Sequence, residues 1–436
     1  MGYIAAVALL LAIGLIFNVP LLVYCGYALG GIFFLARWLS NRWIRDAIAS
    51  RKLSRSEIEI GETVEVTIEL NNEGRVWIPW LLVEEVLPKS AIFGPPPSLL
   101  IEGHRVMLTK LRGGETKKIV YRAKALRRGY FQLGPVVLET GDFLGLYRRF
   151  RVASEPLFLL VLPKVIPILG YNIASRRPVG EVKVTYRLFE DPTLMAGIRR
   201  YQLGDPIRRI HWGATAKTGH LQSKVYQPTS VAGATLVVDM HRASNPDRHE
   251  PIRTDLAVTA AASLCHLLFQ MQQPFGLISN GRDAADRIRL DGWESDLRTR
   301  DTALQSAAME EKSDRLRPVV VPPQRGVENF NQVLRTLARL ERTDGLRLPE
   351  LLAETQSRIP RDTSVVVLLQ ELDERSALAL GMLRQQGYAV SAIINSYEDE
   401  AFASTAGMLV AQRISVYRLK DEAAISQLCE TMLINS

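Results

Sequence analysis

The sequence predicts a multi-domain chain: an N-terminal two-helix transmembrane hairpin, an all-β sandwich domain and a C-terminal α/β doubly wound domain. Three observations carry this. Met1 to Ala36 contains no charged side chain, the apolar residues alternate with period two from Glu57 onward, and strands alternate with helices from Thr235 to the end. The length of 436 residues allows two or three domains, each with its own core. An apolar share of 47% beside 23% charged residues is that of folded protein and excludes disorder over most of the chain. Cys25, Cys265 and Cys429 are far apart in apolar stretches, which suits free buried thiols in a reducing compartment rather than a disulfide framework or a metal cluster.

The hairpin is expected over residues 1–40. Two apolar runs, Tyr3–Phe17 and Leu21–Leu39, flank Asn18-Val19-Pro20, a turn whose proline interrupts a continuous helix. A span needs roughly 20 residues to cross about 30 Å of hydrocarbon. The second run meets that length, and the first is short. A basic juxtamembrane segment is expected at 41–56. Arg37, Arg42, Arg45, Arg51, Lys52 and Arg55 stand against Asp46 alone, and cations beside a span favour the cytoplasmic side. The expected location is therefore the cell inner membrane of a bacterium, with two spans and the soluble domains cytoplasmic. The lipid bilayer is one partner, and the basic cluster can hold its anionic lipid.

The β-sandwich is expected over 57–165. Val64, Val66, Ile68 and Leu70 alternate with Glu65, Thr67 and Glu69, as in a half-buried antiparallel strand. Further strands are expected at Leu81–Leu87, Val106–Leu111, Lys118–Leu126, Tyr130–Glu139 and Leu157–Leu162, with turns at Gly61, Asn71-Asn72 and Gly113-Gly114.

Residues 166–230 read as a linker with a basic signature segment. Arg199, Arg200, Arg208, Arg209, Lys217 and Lys224 face one acid, Asp205. Gly204-Asp205-Pro206 has the composition of a tight turn, and His211-Trp212 follows it. The candidate binding or structural residues are Gly204, Asp205, Pro206, Arg208, Arg209, His211, Trp212 and Lys217. Three readings compete: a structural knot in which Asp205 pairs with an arginine and Trp212 fills a core gap, a docking site for an acidic partner, and a phosphate or nucleic-acid site. Arginine forks suit carboxylates. A nucleic-acid site would add a recognisable module and more stacking aromatics than Tyr201 and Trp212, so no nucleic acid is expected.

The α/β domain is expected over 231–436. Thr235–Val238, Phe275–Ser279, Ser364–Leu369, Ala389–Asn395 and Ser415–Leu419 are short apolar strands. They alternate with helical patterns at Thr254–Gln273, Asn329–Arg342, Pro349–Ile359, Asp373–Gln386, Ala401–Gln412 and Glu422–Ile434. Asp301–Arg325 reads as a polar excursion. Ligands of such sheets bind at the carboxyl ends of strands, where Asp239 stands.

The run YQLGDPIRRIHWGATAKTGHLQSKVY at Tyr201–Tyr226 resembles the signature of the domain of unknown function 58 family, and RRGYFQLGPVVLETGDFLGLYRR at Arg127–Arg149 is similar to a segment that family carries upstream. The resemblance implies a von Willebrand factor type A-like fold for the C-terminal domain. It also implies a MoxR-type AAA+ ATPase, or its client protein, as partner, and a role as an adaptor in assembly or maturation of envelope or other protein complexes. The von Willebrand motif D-x-S-x-S would bring Mg²⁺, for which oxygen ligands are suited. This chain has Asp239, His241 and Ala243 at those positions, with Ser244 one step late and Gln370-Glu371 where a later aspartate is expected. Asp239 is thus the one candidate metal residue, and no cofactor is expected. No nucleotide-binding loop, metalloprotease or nucleophile-elbow motif is present. The expectation is a binding protein, not an enzyme. The competing reading is an envelope hydrolase or transferase with a polar site of Asp205, Arg208 and His211.

Overall fold

The computed structural model describes residues 2–168, 189–200, 210–229, 233–291, 316–360 and 363–426. Contacts divide the chain into two compact units, one built on Met1–Lys164 and one on Val165–Arg282, Ser313–Leu337 and Glu341–Ser436.

The first unit opens with helices α1 (Gly2–Ile16) and α2 (Pro20–Asp46). Pro20 sits in the first turn of α2, where a missing N–H costs nothing, and Asn18 takes positive φ at the turn. The helices meet through small residues: a Cβ on Gly26 would collide with Leu11, and one on Gly14 would lie 3.0 Å from Val23. α2 runs past the apolar stretch. Ala36, Ser40, Trp43 and Ile44 form a buried stripe at helical spacing, so the last two turns pack into the β-rich part of the unit.

Strand β1 (Ala47–Leu53) follows directly. Within the basic segment expected at 41–56, residues 41–46 complete α2, and Ala47–Leu53 pairs antiparallel with the strand Thr63–Asn72. Its inward face is carried by small Ala47 and Ala49 with apolar Ile48 between them, so period two gives only a weak signal. Strands β2 (Glu57–Glu59), β3 (Thr63–Asn72), β4 (Ile78–Glu85), β5 (Leu99–Gly103), β6 (Val106–Leu111), β7 (Thr116–Ala125), β8 (Gly129–Leu133), β9 (Val136–Gly141), β10 (Arg148–Ser154) and β11 (Leu157–Leu162) complete the unit. They form sheets ordered β1-β3-β7-β5, β10-β9-β4-β6 and β2-β11-β8. Val64, Val66, Ile68 and Leu70 from one sheet and Ile78, Leu81, Val83 and Leu138 from another bury into a single core. The strand expected at Tyr130–Glu139 is two, broken at Gly134-Pro135. Gly134 has φ of +84°, and a Cβ there would run into the Arg51 guanidinium.

Arg51 and Glu85 are the unexpected residents of this core. Both side chains are buried, and Arg51 Nη1 donates to Glu85 Oε1. Arg51 Nη2 donates to the Glu155 carbonyl at 2.6 Å. Burial pushes the Glu85 carboxyl above its ordinary range, with Arg51 opposing. Tyr121 beside them is pushed up by burial and by Glu85.

In the second unit, β12 (Phe189–Arg200) pairs antiparallel with β13 (Gln222–Thr229), so the stretch expected as a linker contains a two-stranded ribbon. A short helix α3 (Trp212–Thr218) lies between these strands in sequence. The main sheet has six strands: β14 (Ala234–Val238), β15 (Phe275–Ser279), β16 (Val319–Gln324), β17 (Ser364–Leu369), β18 (Ala389–Ile394) and β19 (Ser415–Arg418), in the order β16-β15-β14-β17-β18-β19. All neighbours are parallel except β15 and β16. β16 falls in the stretch expected as a polar excursion; its Pro322 and Pro323 are tolerated because the strand lies at the sheet edge. Helices α6 (Leu348–Thr355), α7 (Glu374–Gln385) and α8 (Asp399–Ala411) cover one face through Leu351, Leu380, Leu383 and Leu409 against Val237, Val365, Val367 and Ile394. Helix α4 (Ile252–Gln270) packs on β14, β15 and β17 and takes no part in that cluster, so it covers the other face. Phe269 of α4 stacks on Phe330 of α5 (Val327–Arg339) with centroids 5.2 Å apart. The expected helix at Glu422–Ile434 lies in part outside the described residues.

Candidate functional site

The strand order reverses between β14 and β17, because the chain builds β15 and β16 on one side of β14 and then returns to the other. Parallel sheets bind ligands in the crevice at such a switch point. Asp239 follows β14, and its backbone N–H donates to Leu368 O of β17 at 3.0 Å. Its side chain is buried, and both oxygens are occupied. Oδ1 accepts from His241 N–H at 3.1 Å and from Asn280 Nδ2 at 2.7 Å. Oδ2 accepts the Ser244 hydroxyl.

Around it runs a polar network. Asn245 Nδ2 donates to the carbonyls of Asp239 at 3.1 Å and His241 at 2.9 Å. Gln370, at the end of β17, donates to Asn245 Oδ1 and to Glu250 Oε1, each at 2.8 Å. The Glu371 N–H donates to Ser244 O at 3.1 Å, and its carboxylate takes Arg248 at 3.0 Å. Arg342 holds Asp247 at 2.7 Å and keeps its carboxyl below the usual carboxylate range, chiefly by that hydrogen bond. Further along the same edge, Arg253 stacks its guanidinium 4.4 Å over the Tyr397 ring, whose hydroxyl lies 3.0 Å from His249 Nδ1.

The sequence placed Asp239 at this end and set Ser244 aside as out of step. The structure brings them together because the chain after β14 turns tightly, with Ser244 N–H donating to His241 O at 3.2 Å, so a serine five residues on folds back to the carboxylate. Asn280, just after β15, and Gln370, just after β17, join from other strands. Such long-range partners leave no local signal. His241, at the second motif position, uses Nδ1 to accept the Ala243 N–H at 3.0 Å, and Ala243 offers no side-chain oxygen. A Mg²⁺ ion needs several hard oxygens, and this donor set supplies one carboxylate whose oxygens are already hydrogen-bonded. The residues do not fit the ion, and among the described residues no three His, Cys, Asp or Glu side chains group together as metal ligands would.

Of the signature residues, Gly204, Asp205, Pro206, Arg208 and Arg209 lie outside the described residues. His211, Trp212 and Lys217 lie within them. His211 caps α3: its Nδ1 accepts the Ala214 N–H at 3.0 Å. Gly219 closes the helix in the left-handed conformation, with φ of +68°. His211 N–H donates to Gln222 O at 2.8 Å, and Gln222 N–H donates to Thr215 Oγ1 at 3.0 Å, tying the helix to β13. Trp212, which one reading places in a core gap, has a side chain that is 66% exposed. Lys217 is exposed further along the same helix.

The fold and these sites define a class: a protein with an N-terminal apolar helix of spanning length, a β-rich unit and a parallel α/β unit whose switch point is lined with polar side chains. Residues 197–293 match the family described as "Protein of unknown function DUF58". It is 22% identical over 244 residues to the "Uncharacterized protein YeaD" of Bacillus subtilis, a match covering 55% of this chain and 57% of the relative. The match thus spans little more than half of that relative's length. Among solved structures, the proximal thread matrix protein 1 of the mussel byssus is 9% identical, with 46% of this chain and 47% of that one covered and a TM-score of 0.29. A CARDB domain from Pyrococcus furiosus is 12% identical, with 27% of this chain and 92% of that one covered and a TM-score of 0.19.

Proposed function

We propose that this chain is an inner-membrane adaptor that presents its cytoplasmic units to a MoxR-type AAA+ ATPase or to that ATPase's client, and that it performs no chemistry of its own. The exposed Trp212 carries the reading. An indole on a capped, tied-down helix costs little entropy to dock, and tryptophan anchors are typical of interface hot spots. His211 supports the non-enzymatic side, since its Nδ1 serves as the helix cap and accepts the Ala214 N–H at 3.0 Å. We also propose that the C-terminal unit is von Willebrand factor type A-like and works without a resident metal ion. Its five parallel strands with one antiparallel edge strand, and Asp239 after the first of them, favour the fold; the engaged Asp239 carboxylate favours the metal-free state.

The test is retention of a purified MoxR-type ATPase by the full-length chain in detergent. The native chain should retain it, and Trp212→Ala should weaken binding by about 30-fold, the loss of a hot-spot side chain. Equal retention by both, or none by the native chain, would remove the support.

A further inference from the structure

We propose that the β9–β10 hairpin loop, Asp142–Tyr147, is a second membrane contact that seats Phe143 and Leu144 in the headgroup layer beside α2. The inference rests on the reading of α2 as a membrane span.

The loop is built to hold these two side chains outward. Asp142 is buried, and its carboxylate accepts the N–H groups of Leu144 at 2.9 Å and Tyr147 at 2.5 Å. Gly145 takes positive φ, and its N–H returns to Asp142 O at 3.3 Å. With its backbone so pinned, the loop leaves Phe143 at 69% and Leu144 at 63% exposure. Adjacent large apolar side chains on a rigid tip need a surface to cover them.

The loop's position supplies that surface. Phe143 meets Trp43 of α2 edge to face, with centroids 5.7 Å apart. Ser40 Oγ lies 3.5 Å from Tyr147 O, and Arg149 Nε donates to Asn41 Oδ1 at 2.7 Å. The hairpin is therefore fixed against α2 between Ser40 and Trp43. The apolar run ends at Leu39, and Trp43 stands four residues on, about 6 Å along the axis. The polar layer of a bilayer is about 5–7 Å thick on each side, the difference between the full thickness and the hydrocarbon core. On that reading Phe143 lies level with the headgroups, on the Trp43 side of α2. Arg148 in the same hairpin lies 3.8 Å from Glu139 and Arg42 on the helix 3.3 Å from Asp46, and both guanidiniums keep an exposed part at that level that anionic lipid can share. One span lets a domain swivel, and a second contact fixes its orientation.

The full chain is tested in phosphatidylcholine–phosphatidylglycerol vesicles, with Cys25→Ala and an environment-sensitive fluorophore on Leu144→Cys. A second version carries the fluorophore on Arg55→Cys, beyond the far end of β1, about 20 Å from α2 at the rise of a strand. Lipids bearing headgroup spin labels serve as quenchers. The expected result is co-flotation with vesicles, a blue-shifted and at least twofold quenched probe at 144, and an unquenched probe at 55. Co-flotation with no quenching at 144, or equal quenching at both positions, overturns the hairpin contact and leaves the α2 span standing. Failure to float overturns the span itself, and the hairpin contact with it.

Discussion

Pro20–Asp46 and Ile252–Gln270 are both long and apolar enough to cross a bilayer, yet 11% of the apolar window of the first is buried inside the protein and 72% of the second. The two helices carry the same compositional signal and have opposite environments. α4 buries Leu256, Ala260, Leu264 and Cys265 under a parallel sheet, where apolar residues are wanted almost all round. α2 leaves Leu29, Ile32, Phe34 and Leu35 uncovered and buries only the stripe that ends on Trp43 and Ile44. The covering partner, not hydrophobicity, separates a core helix from a candidate span. For α2 the proposed partner is lipid.

The largest expected effect breaks the pair apart with one substitution in each helix. Ala260→Asp places an unpaired carboxylate at a fully buried position of α4 and should destabilise the α/β unit by about 3–5 kcal/mol, enough to unfold it. Leu29→Asp, on the exposed face of α2, should leave both soluble units folded and weaken membrane retention, with a transfer cost of about 2.5–3.5 kcal/mol. Limited proteolysis reads the first and vesicle flotation the second. Identical outcomes for the two variants would erase the distinction.

A smaller but sharper case lies in the β-rich unit. Removing Arg51 strands Glu85 in the core, and Arg51→Ala should cost about 3 kcal/mol at neutral pH. Burial already raises the Glu85 carboxyl, and Arg51 opposes that rise. A carboxyl raised in the folded state contributes stability below its unfolded value and loses it as pH rises through its folded value. The variant's deficit should therefore shrink on acidification below the ordinary carboxylate range and grow toward neutrality, measured as thermal midpoints against pH. A deficit independent of pH would show that the pair matters through packing alone.

What the sequence made legible follows from how local each signal is. Val64 to Leu70 announces a strand because period two is strict, and Ser364–Leu369 announces a buried strand because five apolar residues run together. β1 was hidden because two alanines carry its inward face and its third inward position is Arg51, whose partner Glu85 lies 34 residues away. The end of α2 was hidden by the arginines among its buried stripe. At the switch point, Asp239 was legible from its place after an apolar strand. Ser244 was judged by motif spacing, which a tight turn overrides, and Asn280 and Gln370 reach the site from strands that only the folded sheet makes neighbours.

The membrane reading is tested most directly by accessibility in intact cells. With Cys25→Ala in the full chain, a cysteine at exposed Arg55 should resist a membrane-impermeant thiol reagent until the cells are permeabilised, and then label fully. Labelling at Arg55→Cys before permeabilisation would contradict the account, since it would put the β-rich unit on the outer side of the membrane.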